Sequence, residues 1–250
     1  MSRPAPFLVV GDLSGASAGV RFTVEPDERH HLRRVLRVAD GDAVVATDGN
    51  GRSASAVVRG DDVELVDDVV VSEGPRPRVT VWQALPKGRK VDDVARVLTE
   101  LAIDELVIVA AHRSVADRTD RAERMQARID AVVRAAARQS RNPRLPSVRG
   151  PAAVSDLSSS AGACVLIADP AADTALDATV IGPDARPEDV VVAIGPEGGW
   201  DEAERDHLLS LGGRLVRLGD TILRTEHAAA AAVAAVSALT YRWQPQPAGT

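Results

Sequence analysis

The sequence predicts a small β-barrel followed by an α/β domain whose mostly parallel sheet carries helices on both faces. Three observations support this. The first seventy residues hold short strand-like runs separated by Gly-Asp and Asp-Gly turns. Residues 72–78, Ser-Glu-Gly-Pro-Arg-Pro-Arg, can continue neither a helix nor a central strand, because proline fixes φ and lacks an amide donor. Beyond them, short apolar runs alternate with helical periodicity, the pattern of buried parallel strands joined by crossover helices. The expected division is a barrel over 1–73, an α/β domain over 79–243 and a frayed tail over 244–250.

Within the first part, runs 7–10, 20–24, 42–47, 53–59 and 63–71 are β-branched or alternating and read as strands, and 27–38 reads as a helix. In the second part, runs 79–85, 105–110, 163–168, 190–194 and 214–218 are apolar and short enough for strands buried on both faces. Between them, Val91, Val94, Ala95, Leu98, Leu101 and Ala102 recur at three- and four-residue spacing. A second helix is expected over 119–139, with Met125, Ile129, Val132, Val133 and Ala136 on one face. The last helix is alanine-rich.

With 45% hydrophobic and 26% charged residues, the 250-residue chain can bury a core and is not disordered by composition. One cysteine, Cys164, excludes an internal disulfide and a cysteine-rich zinc site. The five histidines lack metal-ligand spacing, so no metal is expected. There is no HExxH and no nucleophile elbow. Residues 1–11 lack a basic stretch followed by a long apolar run, and 227–241 is too short and too alanine-rich to span a bilayer. The expectation is a soluble, cytoplasmic protein.

Two glycine-bearing loops each follow a strand and precede a helix. The first is Ile194-Gly195-Pro196-Glu197-Gly198-Gly199 with Trp200, where Asp201 or its neighbour caps the next helix. Glycines there permit positive φ and close approach of a ligand to the backbone. The pattern is neither a Walker loop nor GxGxxG, so phosphate is not implied. The second loop runs from Leu218 and Gly219 through Ile222, Leu223 and Arg224. Both belong at the carboxyl edge of the sheet, where ligands of such folds sit, and together they could enclose a flat heterocycle.

The net charge of −6 argues at first against a nucleic-acid partner. The charge is unevenly placed, however. Residues 112–149 hold ten arginines against four acids, a local +6, and residues 28–37 carry +3. Arg121, Arg124, Arg128, Arg134 and Arg138 fall opposite the apolar face of the second helix. Two single-sign clusters in an acidic chain favour a polyanion partner. Aromatic residues, at 2%, are too few for an extensive base-stacking platform.

The ordered segments Gln83-Ala-Leu-Pro-Lys-Gly-Arg-Lys90, Thr99-Glu-Leu101, Ala136-Ala-Arg-Gln-Ser-Arg141, Ile194–Gly199 and Leu218–Glu226 resemble the RsmE family of ribosomal RNA uracil-N3 methyltransferases, in the SPOUT superfamily. His31-Leu-Arg-Arg-Val-Leu-Arg37 resembles that family's PUA-like, OB-like barrel. The resemblance implies a carboxy-terminal trefoil knot, S-adenosylmethionine held in it, a homodimer, and methylation of one uridine of 16S ribosomal RNA in the small subunit. Carried over by position, Ala168, Asp169 and Pro170 form a third wall beside the two loops around the cofactor. Arg224 steadies the uracil oxygens as charge develops, and Glu197 anchors its loop or assists with the proton. The RNA is positioned by Arg29, Arg33, Arg34, Arg37, Lys87, Arg128, Arg134, Arg138 and Arg141. Val97, Ala102 and His227 depart from the family pattern, where lysine, glycine and threonine are expected. A ribose 2′-O-methyltransferase of the same superfamily and a non-catalytic ribosome-assembly factor are the alternatives.

Overall fold

The structure is a computed structural model and describes residues 4–113, 122–181 and 187–244. The chain divides into two compact units. One comprises the residues up to Gly74 together with Arg134–Leu145, and the other comprises Pro75–Val133 and the chain from Pro146 onward. The returning segment 134–145 is thus a tertiary addition to the first unit that no local signal in the sequence announces.

The first unit is a six-stranded mixed sheet of β1 (Phe7–Val9), β2 (Arg21–Thr23), β3 (Ala43–Thr47), β4 (Arg52–Arg59), β5 (Asp62–Leu65) and β6 (Val70–Val71), in the order β1-β3-β4-β5-β2 with β6 on β4. β1 runs parallel to β3, and the other pairs are antiparallel. Alternation decides which face is buried: Ala54, Ala56 and Val58 of β4 point inward with Leu8, Val44, Val63 and Leu65. The expected strand 63–71 is broken at Asp67-Asp68, whose two charges have no place in a sheet core. The expected helix 27–38 is shorter: α1 (Pro26–His30) passes into a π-helical turn, His31–Val35, and Arg37 at φ 58 ends it.

The second unit carries β7 (Arg78–Ala84), α2 (Lys90–Glu100), β8 (Glu105–Ala110), α3 (Ala122–Ser140, its end lying in the first unit), β9 (Ser147–Ala153), β10 (Cys164–Ala168), α4 (Ala178–Ile181), β11 (Asp189–Ile194), α5 (Glu202–Ser210), β12 (Arg214–Val216) and α6 (Thr225–Leu239). All six strands are parallel, in the order β12-β10-β11-β7-β8-β9. The direction of winding therefore reverses at the β7–β11 junction, with β10 and β12 lying beyond it. Trp82, Val107, Val109, Ile167, Val191 and Ala193 cover one face with Leu208 of α5. α6 packs on β11 and β7 and against α2. Its alanines 228, 229 and 232 are buried, which lets the helix backbone lie close to its neighbours.

Strand β9 was not expected from the sequence. It pairs with β8 alone, its residues are exposed or half-buried, and Pro151 cannot donate to a ladder, so it has no apolar run to betray it. Gly150 is required there, because a Cβ would stand 2.3 Å from the Ile108 carbonyl oxygen.

Ala102 follows α2 in the left-handed region at φ 56, the helix-end position where glycine fits without a Cβ penalty. Its carbonyl accepts Nη2 of Arg242 at 2.6 Å. Arg242 is buried, and its Nε also donates to Pro77 O at 2.8 Å. Ala102→Gly keeps that contact and removes the strain, which exceeds the entropy cost of a more flexible unfolded chain. The expected gain is roughly 0.5–1 kcal/mol, read as a rise of about 1–4 °C in Tm by scanning calorimetry. An unchanged or lower Tm would mean that the backbone relaxes at no cost.

Candidate active site

A pocket of about 320 Å³ lies at the carboxyl ends of β10, β11 and β12. Three loops form it. After β10, Ala168, Asp169 and Pro170 make one wall. After β11, Ile194, Gly195, Pro196, Glu197, Gly198 and Gly199 make the second. After β12, Leu218, Gly219, Ile222 and Leu223 make the third. The three walls meet because β12, β10 and β11 are neighbours in the sheet and run parallel, so the loops that follow them emerge side by side at its carboxyl edge.

The loops are held by local chemistry. Asp201 Oδ1 accepts the Glu204 amide at 2.8 Å, and Glu204 Oε2 accepts the Asp201 amide at 2.9 Å, a reciprocal cap that starts α5 directly after the glycine turn. The other oxygen of Glu204 accepts the His112 amide at 2.7 Å, tying the loop after β8 to the same point. Arg113 Nη1 donates to Gly198 O at 2.8 Å, and Thr225 Oγ1 donates to Gly195 O at 3.2 Å. Both glycine carbonyls are thus engaged. Gly199 alone among these glycines takes positive φ, at 71°. Gly195 is tightly placed for a different reason: a Cβ would stand 3.2 Å from Nε1 of Trp200, so a larger residue would have to displace the indole slightly.

Trp200 closes the pocket, and its buried Nε1 has no acceptor among the described residues. A buried unpaired indole N–H lining a cavity is a donor available to a ligand. Asp169 is half-buried and lies 3.9 Å from Nη1 of Arg205.

A second chamber of about 300 Å³ shares Glu197, Ile222, Leu223 and Thr225 with the first and adds Lys90, Arg224 and Glu226. Arg224 lines this chamber and not the larger pocket. It is the N-cap residue of α6 and is exposed, and its side chain does not cap the helix. Lys90 Nζ and Glu226 Oε1 form an ion pair of 2.7 Å. That contact holds the Glu226 carboxyl below its ordinary value.

All the residues expected around the cofactor therefore come together, with Arg224 displaced into the adjoining chamber. Arg113, Trp200, Arg205, Thr221, Thr225, Ala228, Lys90 and Glu226 also line the two cavities and were not assigned there from the sequence. Trp200, Thr225 and Glu226 sit inside the glycine-loop segments, so their position was legible. Arg113 and Arg205 arrive only through the packing of β8 and α5.

The basic residues divide differently from the helical-wheel expectation. Arg128 Nε pairs with Asp92 at 2.9 Å, and Arg138 pairs with the buried Glu28, so neither is an unengaged phosphate contact. Arg33 donates to Val38 O at 2.9 Å and to Gly60 O, bracing its own fold. Arg29 pairs with Asp61 at 2.6 Å, and Arg141 donates to Ala5 O at 3.1 Å. Arg34, Arg37, Arg124 and Arg134 are exposed, as is Lys87 in the loop after β7. Arg121 lies outside the described residues. Val97 is 36% exposed on α2, and His227 lines neither cavity, although its backbone amide donates to Arg224 O at 2.8 Å at the end of the second glycine loop. Among the described residues no cluster of His, Cys, Asp and Glu could hold a metal, and no helix is long and apolar enough to cross a membrane.

A parallel sheet with a crevice at the carboxyl ends of three neighbouring strands, preceded in the chain by a β-rich unit, defines an α/β protein with a ligand-sized site. Sequence comparison gives the class: residues 72–237 match the family described as "RNA methyltransferase domain", and residues 24–68 match "RNA methyltransferase PUA domain". The chain is 38% identical over 240 residues to the ribosomal RNA small subunit methyltransferase E of Mycobacterium bovis, covering 90% of this chain and 89% of that one. It is 30% identical over 233 residues to the protein of that name from Synechocystis, covering 87% and 73%. Its fold matches the ribosomal RNA small subunit methyltransferase E of Neisseria gonorrhoeae bound to S-adenosyl methionine, with TM-score 0.80 and 25% identity over 94% of this chain and 98% of that one. The chain belongs to the ribosomal RNA small subunit methyltransferase E family.

Proposed function

We propose that this protein methylates N3 of one uridine in the 16S ribosomal RNA of the small ribosomal subunit, using S-adenosylmethionine. The observation that carries the reading is the paired cavity: a glycine-walled pocket opening beside a chamber that presents Arg224. The pocket's donor set fits the cofactor. Ile222, Leu223 and Ala228 offer apolar surface to a purine, and the Trp200 N–H offers a donor. Glu197 and Asp169 offer negative charge to cationic groups, and Arg113 and Arg205 offer positive charge to a carboxylate. When bound, the cofactor supplies a methyl group on a sulfonium sulfur, an already activated electrophile.

What remains for the protein is orientation and charge. Uracil N3 is a weakly acidic imide nitrogen and becomes nucleophilic as its proton leaves. Arg224 then steadies the negative charge that spreads onto the carbonyl oxygens. Glu197, at the junction of the two cavities, positions the glycine loop. N3 lies on the Watson–Crick edge, so the target base enters unpaired.

The amino-terminal unit, 1–73 with the returning segment 134–145, acts as the RNA-positioning module, and 79–243 outside that segment is the methyltransferase domain; the expected frayed tail lies, after residue 244, outside the described residues. Exposed Arg34, Arg37, Lys87 and Arg134 contact phosphates, and Arg29, Arg33, Arg128, Arg138 and Arg141 contribute mainly to folding. The insertion of β11 between β7 and the earlier strand β10, with β12 then returning to the far side of β10, supports a trefoil knot in the chain around the pocket. Ile222, 81% exposed at the pocket rim, supports a homodimer that covers it. A ribosomal RNA substrate places the proposed activity in the cytoplasm.

The test compares ribosomal RNA from cells with and without the gene by nuclease digestion and mass spectrometry. Loss of 3-methyluridine at one site is expected on deletion, with calorimetry showing S-adenosylmethionine bound to the purified protein. A lost ribose methyl would refute the base assignment, and absence of cofactor binding would point to an assembly factor.

A further inference from the structure

The chamber beside the pocket contains a carboxylate in an unusual situation. Glu226 lies in the first turn of α6, with its side chain 11% exposed. Oε1 is held by Lys90 Nζ at 2.7 Å, whereas Oε2 is buried and has no hydrogen-bond partner among the described residues. A buried carboxylate oxygen left unpaired costs free energy unless something else satisfies it. It is also an acceptor and nothing else, because Lys90 keeps the group ionised. Arg224, the other cation of the chamber, is two residues before Glu226. Leu223 and Ile222 supply the apolar wall.

The chamber thus offers a donor from Lys90, an acceptor from Glu226 and a donor from Arg224. The imide edge of uracil presents the complement: a carbonyl oxygen, an N–H and a second carbonyl oxygen. Cytosine presents an acceptor at N3 and a donor at N4, so the Glu226 carboxylate would face a lone pair. 3-Methyluracil has no N–H to offer. A site built around a buried polar group rejects a ligand that leaves that group unpaired far more strongly than an apolar pocket does.

We propose that Lys90, Glu226 and Arg224 form the subsite that reads the imide edge of the target base, with Glu226 Oε2 accepting N3–H as the specificity-determining contact. This rests on the function proposed above for its choice of base, but it concerns recognition and not turnover. It accounts for a buried acceptor that the fold leaves unsatisfied, and it gives Lys90 a role: Lys90 keeps the acceptor charged and offers the first donor. It also accounts for product release, since a methyl at N3 removes the hydrogen bond and meets the carboxylate.

The test is binding, read without turnover. Five-nucleotide single-stranded RNAs with a central uridine, 3-methyluridine or cytidine are titrated into the full-length protein saturated with S-adenosylhomocysteine, followed by NMR. The wild type is expected to prefer uridine over both others by at least about tenfold, because either competitor leaves the buried Glu226 carboxylate without its donor. Glu226→Gln, whose amide can present either a donor or an acceptor, is expected to bring the uridine-to-cytidine ratio below about threefold, less than 1 kcal/mol. A ratio unchanged in Glu226→Gln, or no preference in the wild type, would overturn the proposal. If Glu226→Gln fails to give a cooperative melting transition, Lys90→Met decides. A several-fold fall in the ratio supports the subsite, and a wild-type ratio sinks it. A protein that discriminates uridine in this way yet forms no 3-methyluridine leaves the subsite standing and fells the proposed activity instead.

Discussion

Arg224→Ala is expected to lower single-turnover methyl transfer to ribosomal RNA by about two to three orders of magnitude, the usual effect of removing one preorganised donor from a site of developing negative charge. The geometry says why the loss should appear in the rate and not in folding. Arg224 is exposed, its side chain makes no cap to α6, and the helix start is held instead by backbone bonds from His227 and Ala228 to the Arg224 carbonyl, at 2.8 and 2.9 Å. Alanine keeps that carbonyl. Cofactor affinity should also change little, because Arg224 lines the second chamber and not the larger pocket. Calorimetry with S-adenosylmethionine, Tm and single-turnover rates on undermodified small subunits separate the three effects. A variant turning over within threefold of the wild type would remove Arg224 from the transition state.

Arg138→Ala should destabilise the protein by about 3–5 kcal/mol at neutral pH, because it strands a buried carboxylate. Glu28 is 3% exposed, its Oε1 is paired with Arg138, and its buried Oε2 has no side-chain partner among the described residues. Burial raises the Glu28 carboxyl above its ordinary value, against the opposing pull of Arg138 and Arg134. A carboxyl raised in the folded state binds its proton more tightly there than when unfolded. The associated stability is therefore fully present below the unfolded value and lost as pH rises through the folded one. Removing Arg138 raises the folded value further and widens that window upward, so the variant's deficit should shrink on acidification towards pH 5. Adding Glu28→Gln should restore part of the loss at pH 7. Urea denaturation at both pH values measures this, and an equal deficit at pH 5 and pH 7 would show that Glu28 is not the group left stranded. The same result matters for any RNA-binding assay, because loss of binding in this variant reports unfolding of the amino-terminal unit as readily as a missing phosphate contact.

Much of the second unit was legible because burial on both faces leaves strong local marks. The apolar runs over 105–110 and 190–194 became β8 and β11, and the Asp201–Glu204 cap stands directly after the glycine turn. Strand β9 was invisible for the converse reason: an edge strand with exposed side chains and a proline carries no alternation that burial enforces. In the first unit, the run 63–71 reads as one strand by composition, yet Asp67-Asp68 divides it, since pairing is settled by neighbours and not by β-propensity alone. Two walls of the pocket could be read from glycine-bearing loops after strands, and the third, Ala168 to Pro170, came only from the family resemblance. Arg113 and Arg205 could not, because nothing in the sequence near residue 113 or 205 says which loop will lie opposite.

The sequence by itself determined the alternation of strands and helices, the two glycine loops and the residues that cap and follow them, because these depend on backbone conformation within a few residues. Tertiary structure alone decided which charges are engaged. Arg138 meets Glu28 across 110 residues of chain, Arg128 meets Asp92 across 36, and Lys90 meets Glu226 only because α2 packs against α6. A charge counted along the chain has a sign but no partner. Its partner, its burial and hence its work follow from which elements the folded core brings together.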